Sequence, residues 1–256
     1  MLGIAKERSF VKEIKITKSS VSFRNELADR RWYLTFKRAF DIIFSSLVIV
    51  FLLSWLVPLL ALLIKLDSKG PVFFVQKRVG FLGRTFLCFK FRTMVVNSAC
   101  DRQQAVSNDP RITRLGEFLR ISSLDELPQF INVLMGDMSV VGPRPHMHKD
   151  NEDFQKIVNN YRLRHYAKPG ITGMAQVKGY RGPAKNFHSI FHRYQWDAFY
   201  VRNANTSLDI KIIRLTAIQI LKSIFSFRRK EKAERTQQIL MENTPGLVFA
   251  KTVSPE

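Results

Sequence analysis

Acid is scarce beside base in this chain: among 256 residues, 21 Asp and Glu face 41 Lys and Arg, giving a formal net charge of +20. Such an excess predicts attraction to a polyanion, either nucleic acid or an anionic membrane surface. Cysteine is scarcer still. Cys88 and Cys100 are too few for a disulfide scaffold and lack the spacing of a redox or zinc pair, so a reducing cytosolic setting fits best. The sequence has no Gly-x-Gly-x-x-Gly after a strand, no P-loop and no Gly-x-Ser-x-Gly elbow, which excludes nucleotide binding or acyl transfer by those routes. It shows no internal repeat, low-complexity block or coiled-coil register. The first thirty residues are charged and lack an apolar core with a small-residue cleavage site, so no cleavable signal peptide is expected and a chain that is not secreted is.

One long apolar run is present. Residues 42–64 carry no formal charge, enough to cross a bilayer as a helix. That run favours a membrane over nucleic acid as the partner of the basic surface. Pro58 removes a helix hydrogen bond inside the run and predicts a kink near Val57–Pro58. Arg30, Arg31, Lys37 and Arg38 precede the run, and Lys65, Lys69, Lys77, Arg78 and Arg84 follow it, so the positive-inside rule names no orientation. Two readings stay open on these residues: a single span, or a helix that enters one leaflet, bends at Pro58 and returns.

The remainder reads as a mixed domain with a hydrophobic content of 46%, ample for a core. Residues 72–76 and 86–91 are strand-like and bounded by Gly, Pro or charge. Asp109-Pro110-Arg111 predicts a turn opening a helix through Leu119, and residues 154–165 have helical character. In 208–225, Ile210, Ile213, Ala217, Ile220, Leu221 and Ile224 share a face, which suits a helix on a membrane surface or against a core. The charged run 228–235 reads as a solvated face or tail.

Chemistry concentrates in Ser122-Ser123-Leu124-Asp125-Glu126-Leu127-Pro128-Gln129. Ser123 and Glu126 have capping-box spacing, and Leu124, Leu127, Ile131 and Leu134 form a helical stripe, so the acids are expected at a helix N-terminus starting near Ser123 or, because of Pro128, near Asp125. Dipole and capping chemistry alone would favour acids there. Two adjacent anions also repel, and a divalent cation or guanidinium groups relieve that repulsion. Arg111, Arg114 and Arg120 lie upstream and Arg144 downstream, in Gly142-Pro143-Arg144-Pro145; Arg forks match phosphate oxygens. A carboxylate, a hard cation and Arg residues suit phosphoryl transfer. Other pairs carry less. His188 and His192 have metal-pair spacing without a completing Glu and read as surface or stacking residues. His146 and His148 show no metal pattern, and residues 150–153 read as an acidic helix start.

A series of motifs in order resembles the bacterial sugar transferases, the monotopic polyprenyl-phosphate phosphoglycosyl transferases. They are Lys37-Arg38-Ala39-Phe40-Asp41, Gly70-Pro71-Val72-Phe73-Phe74, Lys90-Phe91-Arg92-Thr93-Met94, Asp109-Pro110-Arg111-Ile112-Thr113, the acid motif, Gly136-Asp137-Met138-Ser139 with Val141-Gly142-Pro143-Arg144-Pro145, and Lys168-Pro169-Gly170-Ile171-Thr172-Gly173. The resemblance spans about Lys37 to Leu221. It implies transfer of sugar 1-phosphate from a UDP-sugar to polyprenyl (undecaprenyl) phosphate at the cytoplasmic face of the bacterial inner membrane, releasing UMP and starting surface-glycan synthesis. Asp125 would be the nucleophile, forming a phosphosugar adduct. Glu126 would assist metal binding or the acceptor's attack, and Mg2+ would be the cofactor held by the pair. Arg120 and Arg144 match phosphate-holding positions. Arg181, in Tyr180-Arg181-Gly182, resembles the segment of glucose-type members; Lys90 and Arg92 match too, and each could equally be a structural or lipid-facing cation.

The resemblance also implies a mainly helical α+β fold with four parts. These are a basic segment (1–36), a re-entrant membrane helix bent at Pro58 (37–69), a small cytoplasmic catalytic domain with amphipathic interfacial helices (70–225) and a polar tail (226–256). Many relatives carry further membrane helices upstream, so the chain resembles a minimal catalytic form. Inner-leaflet anionic lipids are expected partners, nucleic acid is not, and a second copy of the chain is left open. Val57, Met174, Pro183-Ala184 and Asn203-Ala204-Asn205-Thr206-Ser207 depart from the family's usual residues. These departures spare the acids but loosen the link to glucose, leaving an N-acetylated or modified amino sugar, or a non-catalytic basic membrane protein, as alternatives.

Overall fold

The computed structural model describes residues 31–96, 109–182 and 186–243, with side chains to 229. The basic segment before 31, Cys100, Pro183-Ala184 and the end of the tail lie outside the described residues. The chain divides into two units, Met1–Phe40 and Asp41–Glu256. In the first, the described residues are the opening turns of helix α1 (Arg31–Leu47).

Helix α1 passes through a π-helical segment, Val48–Leu53, into α2 (Ser54–Asp67). The departure from α geometry thus falls ahead of Pro58, not at it, and π segments and prolines are the usual sites where helices bend. Two side chains return hydrogen bonds to carbonyls of this segment, Ser54 Oγ to Val50 O at 2.6 Å and Trp55 Nε1 to Phe51 O at 3.0 Å. Such local satisfaction is what an apolar environment demands of irregular helix. Arg31–Asp67 is long and apolar enough to cross a membrane, and only 22% of its most apolar stretch is buried. A soluble core helix would bury most of it. Leu53, Leu56, Leu60 and Ile64 form the buried stripe, the last three packing on Phe91 and Leu119, while Phe51, Trp55, Leu59 and Leu62 stay exposed.

Strands β1 (Phe73–Val79) and β2 (Thr85–Phe91) form an antiparallel hairpin in which Phe74 opposes Lys90 and Gln76 opposes Cys88. Because side chains alternate, that register puts Gln76, Arg78 and Lys90 on one face. Helix α3 (Arg114–Ile121) is capped by Thr113, whose side chain accepts from the Gly116 N–H. A Cβ at Gly116 would stand 2.0 Å from Thr93 O, so glycine permits the helix to touch the loop after β2.

After α4 (Gln129–Met135) come β3 (Ser139–Val141), α5 (His148–Ile157), a 3-10 segment (Tyr161–Tyr166), β4 (Gly170–Thr172), α6 (Met174–Val177), α7 (Phe187–Asn203) and α8 (Thr206–Asn243). Strands β3 and β4 pair in parallel. Gly142 lies so close to Lys168 O, 2.2 Å from where its Cβ would be, that the loop leaving β3 admits no side chain there. Asp41, at the end of the first sequence motif, is buried and accepts from Val140 N at 2.9 Å and Ser139 Oγ at 3.1 Å, tying the apolar helix to β3. The architecture is therefore mainly helical α+β.

Several local expectations are corrected. The stretch 154–165 is not one helix: α5 ends at Ile157 and a 3-10 segment follows, with Asn160 at φ +59 making the turn. The final helix does not stop near Phe225 but continues to Asn243. Its core contact is Ile212, fully buried, whereas Ile210 and Leu221 of the expected apolar face are exposed.

Candidate active site

Asp125 and Glu126 do not sit in the first turn of an α-helix capped by Ser123. Ser122 is the C-cap of α3, Ser123 adopts a left-handed backbone at φ +60, and the acids occupy a single 3-10 turn, Leu124–Glu126. Pro128 is the N-cap of α4, where its missing N–H leaves nothing unsatisfied. The capping box fails because both partners bind elsewhere: Ser123 Oγ accepts from Arg181 Nη1 at 2.9 Å, and the Glu126 carboxylate faces cations. A serine at positive φ stores strain, a feature that clusters at functional sites. The expected leucine stripe is broken as well, since Ile131 is exposed while Phe130, Asn132 and Val133 are buried. Asn132 holds α4 to the hairpin, donating Nδ2 to Leu87 O at 2.6 Å and accepting from Phe89 N at 3.0 Å.

Glu126 gathers cations from three separate places in the chain. Lys90 Nζ, from β2, is 2.8 Å from Oε1; Arg144, from the loop after β3, places Nη2 at 2.5 Å from Oε1; Arg181, after α6, places Nη2 at 3.1 Å from Oε2. Burial alone would raise the Glu126 pKa, but Arg144, Lys90 and Arg181 outweigh it and hold the carboxyl well below its usual range. Burial alone would lower the Arg144 pKa, and Glu126 outweighs it in turn, keeping the guanidinium charged.

Asp125 lives differently. It is 7% exposed, and its Oδ1 has no hydrogen-bond partner among the described residues. Burial pushes its pKa up and the Glu126 charge adds to that, reaching about 6 against the opposing pull of Lys90, Arg120 and Arg181. A buried, partnerless carboxylate oxygen fits a hard cation such as Mg2+, which binds through one or two carboxylates with substrate phosphates completing the shell. Among the described residues no three His, Cys, Asp or Glu side chains cluster, so Asp125 and substrate oxygens would supply the donors. Both oxygens of Glu126 already face cations.

These groups line a cleft of about 1180 Å³ together with Arg92, Arg120, His146, Arg193 and Lys222. Arg120 makes one long contact, Nη1 to Thr93 Oγ1 at 3.5 Å. Arg92 is engaged elsewhere: its guanidinium donates to the carbonyls of Ile64, Ser68 and Lys69, closing the C-terminus of α2. Arg111 pairs with Asp109 at 2.6 Å, and Arg114 lies in the exposed first turn of α3. His192 stacks on Tyr180 and its Nε2 lies 2.9 Å from that of His188, in line with the stacking role read from the sequence.

Sequence reasoning passed over Arg164 and Asp197, and it weighed His146 only as a metal ligand. Arg164 is buried, pairs with Asp197 at 2.8 Å and donates to Arg144 O at 2.6 Å, so it steadies the loop that delivers Arg144. A long cation within a charged segment reads as exposed. The one available hint was the dense charge around an otherwise apolar 161–166.

A family model described as bacterial sugar transferase matches residues 32–223. The chain is 47% identical over 206 residues to a UDP-glucose:undecaprenyl-phosphate glucose-1-phosphate transferase of Xanthomonas campestris pv. campestris, covering 78% of this chain and 42% of that protein. It is 45% identical over 194 residues to the exopolysaccharide production protein PSS of Rhizobium leguminosarum bv. phaseoli, covering 73% of this chain and 96% of that one. It is 41% identical over 191 residues to a UDP-N-acetylgalactosamine-undecaprenyl-phosphate N-acetylgalactosaminephosphotransferase of Aeromonas hydrophila, covering 74% and 44%. The chain thus spans less than half the length of the first and third of these relatives.

Proposed function

The chain belongs to the bacterial sugar transferase family, and on that premise we propose that it transfers sugar 1-phosphate from a UDP-sugar to undecaprenyl phosphate and releases UMP. The observation that carries this reading is the contrast inside the acid pair. Glu126 collects Lys90, Arg144 and Arg181 into one positive wall, while beside it Asp125 keeps an oxygen with no partner among the described residues.

In this mechanism the phosphates of the donor lie against Lys90, Arg120, Arg144 and Arg181, which offset their charge. An Asp125 oxygen attacks the sugar-linked phosphorus, a P–O bond to the carboxylate forms, and the bond to the UMP oxygen breaks. The undecaprenyl phosphate oxygen then attacks the same phosphorus and displaces Asp125, leaving undecaprenyl diphosphate sugar. Asp125 would hold Mg2+, which when bound supplies Lewis-acid neutralisation of the donor phosphates. Glu126 acts by fixing the cations.

We place the apolar helix in the inner leaflet as a re-entrant element with the catalytic part on the cytoplasmic face, where a water-soluble donor and a lipid phosphate meet. The exposed apolar side of α2 and the π segment ahead of Pro58 support this placement. Glucose- or galactose-type donors are preferred over N-acetylated ones, following the relative from Xanthomonas ahead of that from Aeromonas. The test is a panel of UDP-sugars, one at a time, with membranes, Mg2+ and undecaprenyl phosphate. UMP release with UDP-glucose or UDP-galactose supports the reading. No UMP from any donor contradicts it and favours a non-catalytic binding protein.

A further inference from the structure

Beyond the acid pair, the cleft contains one side chain whose hydrogen-bonding state is fixed by its neighbours and whose other ring nitrogen has no partner among the described residues. His146 is buried and lines the cleft. Its Nδ1 lies 2.6 Å from the Tyr161 hydroxyl and 3.2 Å from Arg164 Nη1. A guanidinium can only donate, so Nδ1 must accept, and the ring hydrogen therefore resides on Nε2. Arg164 is itself locked by Asp197, with Nε at 3.0 Å and Nη2 at 2.8 Å from the same oxygen. Burial, and then the Arg164 charge, hold the His146 pKa well below its usual value, so the ring is a neutral donor at physiological pH.

That donor, Nε2–H, finds no acceptor among the described residues. Neither does Nε of Arg193, which is also buried and lines the same cleft. The surrounding wall is polar and hydrogen-bonded together: Val79 N donates to His146 O at 3.0 Å, Arg78 donates to Pro145 O at 3.3 Å, and Arg193 donates to Gly182 O. Leaving a buried donor without an acceptor costs about 1–3 kcal/mol, which a bound oxygen would recover. The phosphates already have Lys90, Arg120, Arg144 and Arg181. A neutral N–H two residues beyond Arg144 suits an uncharged oxygen of the same ligand.

We propose that His146 is a specificity-determining residue whose Nε2–H hydrogen-bonds an uncharged oxygen of the sugar nucleotide, a sugar hydroxyl or a uracil carbonyl, with Arg164 as the positioning residue that sets its tautomer. The proposal rests on the transferase reading above.

Two substitutions separate donor loss from unfolding. His146→Asn keeps an acceptor near Nδ1 for Arg164 and Tyr161 but withdraws the group at Nε2; His146→Gln restores an N–H near that point. With UMP release as the assay, His146→Asn is expected to raise the KM for the UDP-sugar by about 10-fold, the loss of one hydrogen bond, with the lipid KM unchanged. His146→Gln should recover most of the affinity. Inhibition by UMP distinguishes the two oxygen sources: if it weakens in parallel, the partner is the uracil, and if it does not, the partner is the sugar. A His146→Asn protein that melts as wild type does and shows an unshifted donor KM overturns the assignment. So does a donor KM that His146→Gln fails to restore. A wild-type protein that releases no UMP would sink the transferase reading itself, and this one with it.

Discussion

Arg144 grips Glu126 with both arms of its guanidinium, Nη2 2.5 Å from Oε1 and Nη1 3.3 Å from Oε2. The fork engages both Glu126 oxygens, while Asp125 Oδ1 has no partner among the described residues, and on the proposed reading this leaves Glu126 to fix the cations. Glu126→Gln should therefore act through the cations. Stability should fall by about 1.5–3 kcal/mol, the worth of hydrogen bonds to a charged group, as read by chemical denaturation. Donor KM should rise by about 10-fold or more, while the Mg2+ concentration for half activation stays within a factor of about three. A large shift in the Mg2+ requirement with an unchanged donor KM would assign Glu126 to the metal instead.

The raised pKa of Asp125 has a stability cost with a definite sign. Its folded value, about 6, lies above the ordinary 3.8. Between those values the folded protein holds a proton that the unfolded chain has lost, so this group's contribution to stability falls as pH rises, and the loss is complete above about 6. Asp125→Asn removes the burden. In EDTA its Tm should exceed that of wild type at pH 8, and the excess should shrink as pH is lowered from about 6 toward 4. Equal melting of the two proteins at pH 8 would show that the carboxylate is not strained by burial.

Arg92 lies against the cleft, yet its guanidinium serves the carbonyls at the end of α2. Arg92→Met is expected to lower stability by about 1–3 kcal/mol through unsatisfied carbonyls, with the donor KM within a factor of about two. A stable variant with a strongly raised donor KM would return Arg92 to phosphate binding.

The re-entrant placement makes a topological prediction. Lys37→Cys and Lys65→Cys flank the apolar stretch, and in a Cys100→Ser background the remaining native thiol, Cys88, is buried. Both introduced thiols should resist an impermeant maleimide in intact cells and react once the inner membrane is opened. Labelling of one of them in cells whose outer membrane alone is permeable would establish a single span.

What the sequence made legible followed short-range rules. Two strand-like stretches, a helix running through Leu119 and the apolar helix all lie near where bounding residues, the Asp109-Pro110-Arg111 turn and charge-free length put them, although the pairing of β1 with β2 and the cap at Thr113 were not read. Asp125, Glu126, Lys90, Arg144 and Arg181 line one cleft although they come from segments up to 91 residues apart, and no spacing could show that convergence. The acid turn was misread locally because Ser123 and Glu126 have capping-box spacing. Their side chains instead satisfy Arg181, Lys90 and Arg144, which are remote in sequence. Arg164 was invisible for the same reason, since a buried cation stabilised by Asp197, 33 residues away, has no local signature, and His146 was weighed only as a metal ligand because its partners Tyr161 and Arg164 are likewise remote.

The most direct test of the account is intact-protein and peptide mass spectrometry of the enzyme mixed with UDP-sugar and Mg2+ in the absence of lipid acceptor. The account predicts UMP release of about one equivalent, with a hexose-phosphate adduct mapping to Asp125 and absent from Asp125→Asn. Brisk turnover on adding undecaprenyl phosphate, with no adduct on Asp125 at any time, would contradict it.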